Sequence, residues 1–394
     1  MSAAIGLEAA QARLLALVKP VGSEIVRVDE AAGRYLAGDL AARRTQPARD
    51  LSAMDGFAVA GPGPWRIVGE SRAGAPLVRA LAAGEAARIS TGAACPEGTE
   101  TIVPIEDAAV EGDELRAARP APGRHIRRRG LDFEDGAGLL ASGARIGAAQ
   151  LALARAGGHA VLEVAGRPRL AVIECGDELV ADPRDCPPDR LPASNGAMVA
   201  AMAAGTGAVA RRMGPLPDDR AVLARAFAEA ADADAIVTTA GASVGEHDHV
   251  RGALEDAGAK LAFWRVAIRP GKPVLVATRG DRIALGLPGN PASAFVTAFL
   301  FLLPLLRALQ GAARPFPAAI PLPLAGALPA GGARREFLRA RFEGGQAVPL
   351  AGRDSSALHA LAAADLLIDR AAGAPAAPSG AVVPCYWLGN GGIT

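Results

Sequence analysis

RLAVIE at 169–174, VARRM at 209–213, AIVTT at 235–239 and IALGL at 283–287 are short apolar or β-branched runs. Helical patterns fill the stretches between them: SNGAMVAAMAAG at 194–205, PDDRAVLARAFAEAAD at 217–232 and DHVRGALEDAG at 248–258. Strands separated by helices of this length are βαβ units, so the spacing predicts a doubly wound, mainly parallel sheet covered on both faces. FWRVAI at 263–268 and PVLVA at 273–277 read as two further strands, followed by a long apolar helix ending at Leu309. Ser194 or Asn195, and Pro217 with Asp218 and Asp219, suit helix starts, where a side-chain oxygen can cap free N–H groups and acids complement the macrodipole.

On either side of this region the pattern changes. LEAAQARLLALV at 7–18 has helical spacing and is too short to stand alone, so it must dock elsewhere in the chain. From Ile25 to about Asp132, short runs such as IVRV, FAVA, WRIVGE and TIVPIE are broken by Gly, Pro and Asp, which reads as a β module. Helical pattern returns in IGAAQLALARAG at 146–157, and a Pro/Gly/Ala stretch after Gly311 precedes a last β-rich segment. The expected organisation is an α/β multidomain chain. A helical linker domain takes 1–25 and 140–168, a β-rich domain 26–139, an α/β domain 169–311 and a small β domain 312–394.

Composition narrows the function classes. The 394 residues are 51% hydrophobic and only 4% aromatic, so the core is built from Ala, Val, Leu and Ile, and disorder of the whole chain is excluded. Forty-two basic and 41 acidic residues leave a net charge of +1, which removes the electrostatic argument for a nucleic-acid or anionic-membrane partner. Four scattered cysteines without a CxxC pair, and no secretory pattern at the N-terminus, lead to the expectation of a reducing cytoplasm. The apolar run from Ala292 to Leu306 carries Ser293, Thr297 and Pro304, and is expected to be a buried helix rather than a membrane span.

Ligands of open parallel sheets bind beyond the carboxyl ends of the strands. Three loops fall there. In IECGDEL, Asp177 and Glu178 follow a strand directly and suit a hard divalent cation such as Mg²⁺, although an ordinary acidic helix start gives the same text. In TTAGASVGEHDHV, Gly241 and Gly245 with Ser243 and Asp248 read as a phosphate cradle, or as a tight turn; no Walker lysine is present, and His247 and His249 lack a third spaced zinc ligand. In LGLPGNPASA, Pro288, Asn290 and Pro291 stiffen a loop ahead of a helix. Upstream, IRPGKP holds Arg269 and Lys272 on a Pro-bounded turn suited to an oxyanion, or simply to solvent. The β module adds Asp55 beside Gly56, and Thr91 beside Gly92. The absence of GxSxG and HExxH removes serine-hydrolase and zinc-peptidase readings.

Together, SAMDGFA, ISTGAACPEGTETIVPIED, the GLD of RRRGLDF, GDEL, SVGEHDHV, RPGKP and GLPGNPASA resemble the molybdopterin molybdenumtransferase (MoeA) family, in its order and spacing, over about residues 5 to 390. The resemblance implies a central molybdopterin-binding domain of MogA-like type and an N-terminal helical segment that pairs with the helix after the β module. It also implies a C-terminal β domain and an elongated homodimer. It implies insertion of molybdate into adenylylated molybdopterin, assisted by Mg²⁺, with release of AMP, and molybdoenzymes or their chaperones as candidate partners. Asp55, Thr91, Asp132, Glu178 and Asp248 stand at the family's catalytic positions. Ser243, Gly245, Arg269, Lys272, Pro288, Asn290 and Pro291 stand at its ligand contacts, and Asp177, Glu178 and Asp248 are the implied metal ligands. Departures are Ala240 and Ala242 around the cradle, Cys175 in place of a threonine, and Ala357 in place of a basic residue. Alternatives are a molybdopterin carrier or scaffold, a tungstate-inserting enzyme, and molybdopterin adenylylation, against which the β-module motifs argue.

Overall fold

The computed structural model describes residues 4–241, 249–351, 354, 356–389 and 391. At its centre is a six-stranded sheet ordered Val209–Leu216, Arg169–Cys175, Ala235–Thr238, Arg282–Gly286, Leu275–Arg279 and Lys260–Trp264. All run in one direction except Leu275–Arg279, which is antiparallel to both its neighbours. Side chains alternate between two cores, as the pleat demands. Leu170, Val172, Ala235, Val237, Ile283 and Leu285 face one, under the helices Asn195–Ala204 and Pro291–Leu309. Ala171, Ile173, Ile236 and Ala284 face the other, under Arg220–Glu229 and Val250–Asp256. Burial on both faces explains why these strands read as continuous apolar runs.

The 19-residue helix Pro291–Leu309 is long and apolar enough to cross a membrane, yet 89% of its most apolar window is buried inside the protein. Its middle, Ala298–Leu302, is a π-type turn. Just before it, the Thr297 hydroxyl donates back to the carbonyls of Ser293 at 2.7 Å and Ala294 at 3.1 Å, which satisfies a polar group in an apolar core.

Two expectations are corrected. FWRVAI is not one strand: Arg265 takes a left-handed φ of 67°, and the chain leaves the central sheet. Ile268–Arg269 then pairs parallel with Arg335–Glu336 in a separate sheet, completed by Leu366–Arg370, Val382–Trp387, Ile320–Pro323 and Gln346–Pro349. The N-terminal helix, Leu7–Leu15, does not pair with the helix Ala148–Ala156. It buries Leu7, Ala10 and Leu14 in the central core, against the turn Ala298–Leu302 and the helix Leu303–Leu309. What joins the N-terminus to the segment after the β module is a strand pair, Ser23–Arg27 antiparallel to Val161–Ala165.

The β module is a six-stranded sheet ordered Thr101–Pro104, Gly56–Ala60, Glu85–Ile89, Trp65–Ser71, Glu114–Arg116 and Ala109–Glu111, flanked by two-stranded ribbons. Leu14 is fully buried where the N-terminal helix meets the central core, and truncating a buried leucine removes contacts and leaves a cavity. Leu14→Ala is therefore expected to cost roughly 2–5 kcal/mol of stability. Hydrogen exchange should show faster opening of Leu303–Leu309, while Trp65, in the β module, keeps its native fluorescence in mild denaturant.

Candidate active site

Three adjacent parallel strands end at one level, because Ile173 pairs with Thr238 and Thr238 with Gly286. The loops that follow them, starting at Gly176, Thr239 and Leu287, therefore converge on one edge of the sheet. A cavity of about 590 Å³ opens there, lined by Glu178, Gly241, Pro288, Asn290 and Pro291 among the expected residues, and by Glu174, Ser194 and Asn195. Asn290 stands at the N-cap position of the helix that starts at Pro291, and the two prolines stiffen this rim. Across the cavity, the Asn195 amide donates to the Gly289 carbonyl at 2.6 Å and ties the rim to the helix Asn195–Ala204.

Asp177 and Glu178 are both exposed on the loop after Cys175. Asp177 Oδ1 accepts the backbone N–H of Asp218 at 3.0 Å. Burial first, and then the charges of Asp177 and Glu178, push the Asp218 carboxyl above its ordinary range. Three carboxylates thus lie near enough for two of them to act on the third. Sequence reading took Asp218 for a helix-start acid, but Asp219 caps that helix by accepting from Val222 N at 2.8 Å, which leaves Asp218 to the site. The signal was present in the acidic pair standing just beyond the carboxyl end of Val209–Leu216.

Arg269 and Lys272 line a second cavity, of about 680 Å³, between the central and C-terminal sheets, and Pro273 belongs to both linings. The turn is fixed by Gly271, whose φ is +103° and whose Cβ would lie 2.4 Å from Thr297 Cγ2. Arg269 is not a free cation: its guanidinium meets Glu336 Oε1 at 3.2 Å, and that carboxylate is buried. Arg334 and Arg339 add two further guanidinium groups to the same wall, and sequence reading missed both because they lie just before and within the strand Arg335–Glu343, some 65 residues later. The Arg339 guanidinium donates to the carbonyls of Ala357 at 3.2 Å and Asp354 at 3.0 Å, and burial lowers its pKa.

In the β module the Asp55 carboxylate accepts the Thr91 N–H at 2.7 Å, so these two expected positions are brought together. Asp132, exposed, is held elsewhere, with its N–H on Gln46 O at 3.1 Å. None of the three belongs to the lining of either cavity. Ser243, Gly245 and Asp248 lie outside the described residues. Among the described residues no group of three or more His, Cys, Asp or Glu is arranged to hold a metal ion by itself. Cys175 is buried and packed with Ile173 and Leu223, and Ala240 carries its methyl group against the same core.

Comparison with known proteins places this geometry. The MoeA N-terminal region (domain I and II) matches residues 5–158, the probable molybdopterin binding domain matches 171–308, and the MoeA C-terminal region (domain IV) matches 321–388. The chain is 35% identical to the molybdopterin molybdenumtransferase of Nostoc sp., over 74% of this chain and 70% of that protein. It is 37% identical to that of Synechococcus elongatus, over 79% and 81%. Molybdopterin molybdenumtransferase 2 of Mycobacterium tuberculosis is 33% identical over 87% and 90%. The crystal structure of the molybdopterin biosynthesis MoeA protein of Pyrococcus horikoshii superposes with a TM-score of 0.79 at 28% identity, covering 97% of this chain and 98% of that one. The α/β multidomain architecture is the one expected, and by profile, by sequence and by fold the chain belongs to the MoeA family of molybdopterin molybdenumtransferases.

Proposed function

We propose that the chain inserts molybdate into adenylylated molybdopterin and releases AMP, yielding the molybdenum cofactor. The observation that carries this reading is the meeting of an acidic rim and a cationic wall at Pro273: Glu178 lines one cavity, and Arg269, Lys272, Arg334 and Arg339 the other. A phosphoanhydride and a tetrahedral oxyanion are the two charged groups such a division would hold. Lys272, exposed on its turn, would contact the oxyanion as a point charge. Arg269, already committed to Glu336, would orient it from a fixed position. Pro288, Asn290 and Pro291 would form the rigid lip over the pterin-bearing part of the ligand.

The acid cluster fits Mg²⁺ in donor chemistry. Its carboxylates offer hard oxygen ligands, and a divalent cation would offset the negative charge that Asp177 and Glu178 place near Asp218. Mg²⁺ commonly binds through one or two carboxylates together with substrate phosphates, so the lack of a complete ligand set among the described residues agrees with a site finished by the substrate. Glu178 and Asp177 would hold it, with Asp248 as the third expected ligand. When bound, the ion would neutralise charge developing on the phosphates.

Asp55 and Thr91, outside both cavities, fit a homodimer in which the β module of one chain closes the cleft of its partner. No disulfide joins Cys95, Cys175, Cys186 or Cys385 among the described residues, in keeping with a reducing compartment, and the reading puts the protein in the cytoplasm. No observation favours the carrier, tungstate or adenylylation readings over this one.

Glu178→Gln keeps the loop's shape and removes the charge. It is expected to lower AMP release, assayed with adenylylated molybdopterin, molybdate and Mg²⁺, by roughly a hundredfold or more, with an unchanged melting temperature. Unaltered turnover would take Glu178 out of the mechanism. For the shared cleft, inactive Asp55→Asn and Glu178→Gln proteins mixed under subunit exchange should regain activity, since about half of the dimers would be mixed and about a quarter of all clefts intact. Exchange shown by mass without any recovery would assign each cleft to a single chain.

A further inference from the structure

A third cavity, of about 580 Å³, shares no lining residue with the two already described. Three parts of the chain meet at it: the segment from Arg145 to Gln150, the helices Asn195–Ala204 and Pro291–Leu309, and the residues Leu388, Gly389 and Gly391 after the last strand. Small-molecule sites favour such junctions, and cavities of about 300–1,000 Å³ hold one ligand of that kind. The body of the cavity is apolar, lined by Met202, Phe295, Phe299, Leu303 and Leu388. Phe295, Phe299 and Leu303 recur every fourth residue along one helix, and Arg307 extends the row.

The charge in this lining has one sign. Among the described residues it holds two cations, Arg145 and Arg307, and no Asp or Glu. Arg307 is 1% exposed and donates to the carbonyls of Pro315, at 3.2 Å, and Gly391, so it acts on the cavity through its charge rather than by open contact. Arg145 is exposed, and among the described residues no carboxylate pairs with it. Its backbone is pinned by a bridge to Tyr35, and the next N–H, of Ile146, donates to Arg34 O at 2.8 Å. Gln150 adds a donor: its Oε1 accepts the Gly147 N–H at 3.2 Å, which leaves Nε2 to donate. Burial above all, and then the charge of Arg145, lower the Arg307 pKa, with Tyr35 acting in the other direction. The two guanidinium groups therefore sense each other, and an anion in the cavity would offset both.

We infer that this cavity binds a small amphipathic carboxylate, with its apolar body against Met202, Phe295 and Phe299 and its carboxylate on the Arg145 guanidinium. The inference goes beyond the proposed transferase reaction and does not depend on it. A guanidinium presents two parallel N–H donors that match the two oxygens of a carboxylate. A neutral molecule of the same shape would keep the apolar contacts and lose the charge-assisted bonds. A polyanion such as a nucleotide would have to set its remaining charge against phenyl rings, at a desolvation cost that nothing in the lining repays.

The test uses the full chain in its native oligomeric state and two probes of one shape, 2-naphthoate and the neutral 2-naphthalenemethanol, titrated by calorimetry. Wild type should take up one naphthoate per chain and prefer it to the alcohol by about tenfold or more, the worth of one hydrogen bond to a charged group. Arg145→Gln, at an exposed side chain, should abolish that preference at an unchanged melting temperature. Ala201→Trp brings a ring into the lining from an exposed helix position and should weaken both probes. AMP and molybdate should leave naphthoate binding as it is. A wild type that binds neither probe, or both alike, overturns the inference, and so does a preference that survives Arg145→Gln. Displacement of naphthoate by AMP or molybdate would seat the probe in the candidate active site instead and overturn it as well.

Discussion

Three parallel strands, Arg169–Cys175, Ala235–Thr238 and Arg282–Gly286, are held in a register that ends them side by side, and the candidate site depends on that alignment. Their burial on both faces fixes it: a slip by one residue would turn Val237 and Leu285 out of one core and Ile236 and Ala284 out of the other. From that common edge the acidic loop, the chain after Thr239 and the Pro-Gly-Asn-Pro rim all start within reach of one another. The rim is then tied down once more, by the Asn195 amide on Gly289 O. Rigid loops on a close-packed sheet are the arrangement that positions ligand groups without spending further conformational entropy on binding.

The apolar helix Pro291–Leu309 is the second element on which several parts converge. It carries the rim at its N-terminus, receives the N-terminal helix through Leu14, and near its end places Arg307, almost fully buried, against the carbonyls of Pro315 and Gly391. Burial lowers the Arg307 pKa, the direction expected of a cation removed from water with no carboxylate beside it among the described residues. One helix thus touches the N-terminal segment, the central sheet and the far end of the C-terminal module. Its high hydropathy follows from that central position and does not require a lipid environment.

Much of this was legible in the text of the chain, and the parts that were not share a cause. Alternation of strand and helix patterns located the central sheet, and the rule that ligands sit at carboxyl edges led to Glu178, Pro288, Asn290 and Pro291, which the structure gathers in one cavity. Periodicity could not show that Arg265 turns left-handed and hands Ile268–Arg269 to another sheet, because the decisive contact, with Arg335–Glu336, lies about 67 residues away. The same distance hid Glu336 from any reading of Arg269 as a free cation. Asp218 was overlooked for a local reason: two adjacent acids precede the helix, and only the structure shows that Asp219 does the capping.

A net charge of +1 and a site built from concentrated charge are compatible, because the balance is struck locally. Asp177, Glu178 and Asp218 lie on the sheet edge, whereas Arg269, Lys272, Arg334 and Arg339 line a cavity beside the pairing of Ile268–Arg269 with the C-terminal sheet. Isolated from each other, either cluster would repel itself; at Asp218 the charges of Asp177 and Glu178 add to burial, the larger cause, in raising the carboxyl. A substrate with a phosphoanhydride and a dianion would draw on both clusters at once. This gives the C-terminal module a physical reason to be part of the site: two of the four cations are its own residues, and Glu336 from the same strand fixes the orientation of a third.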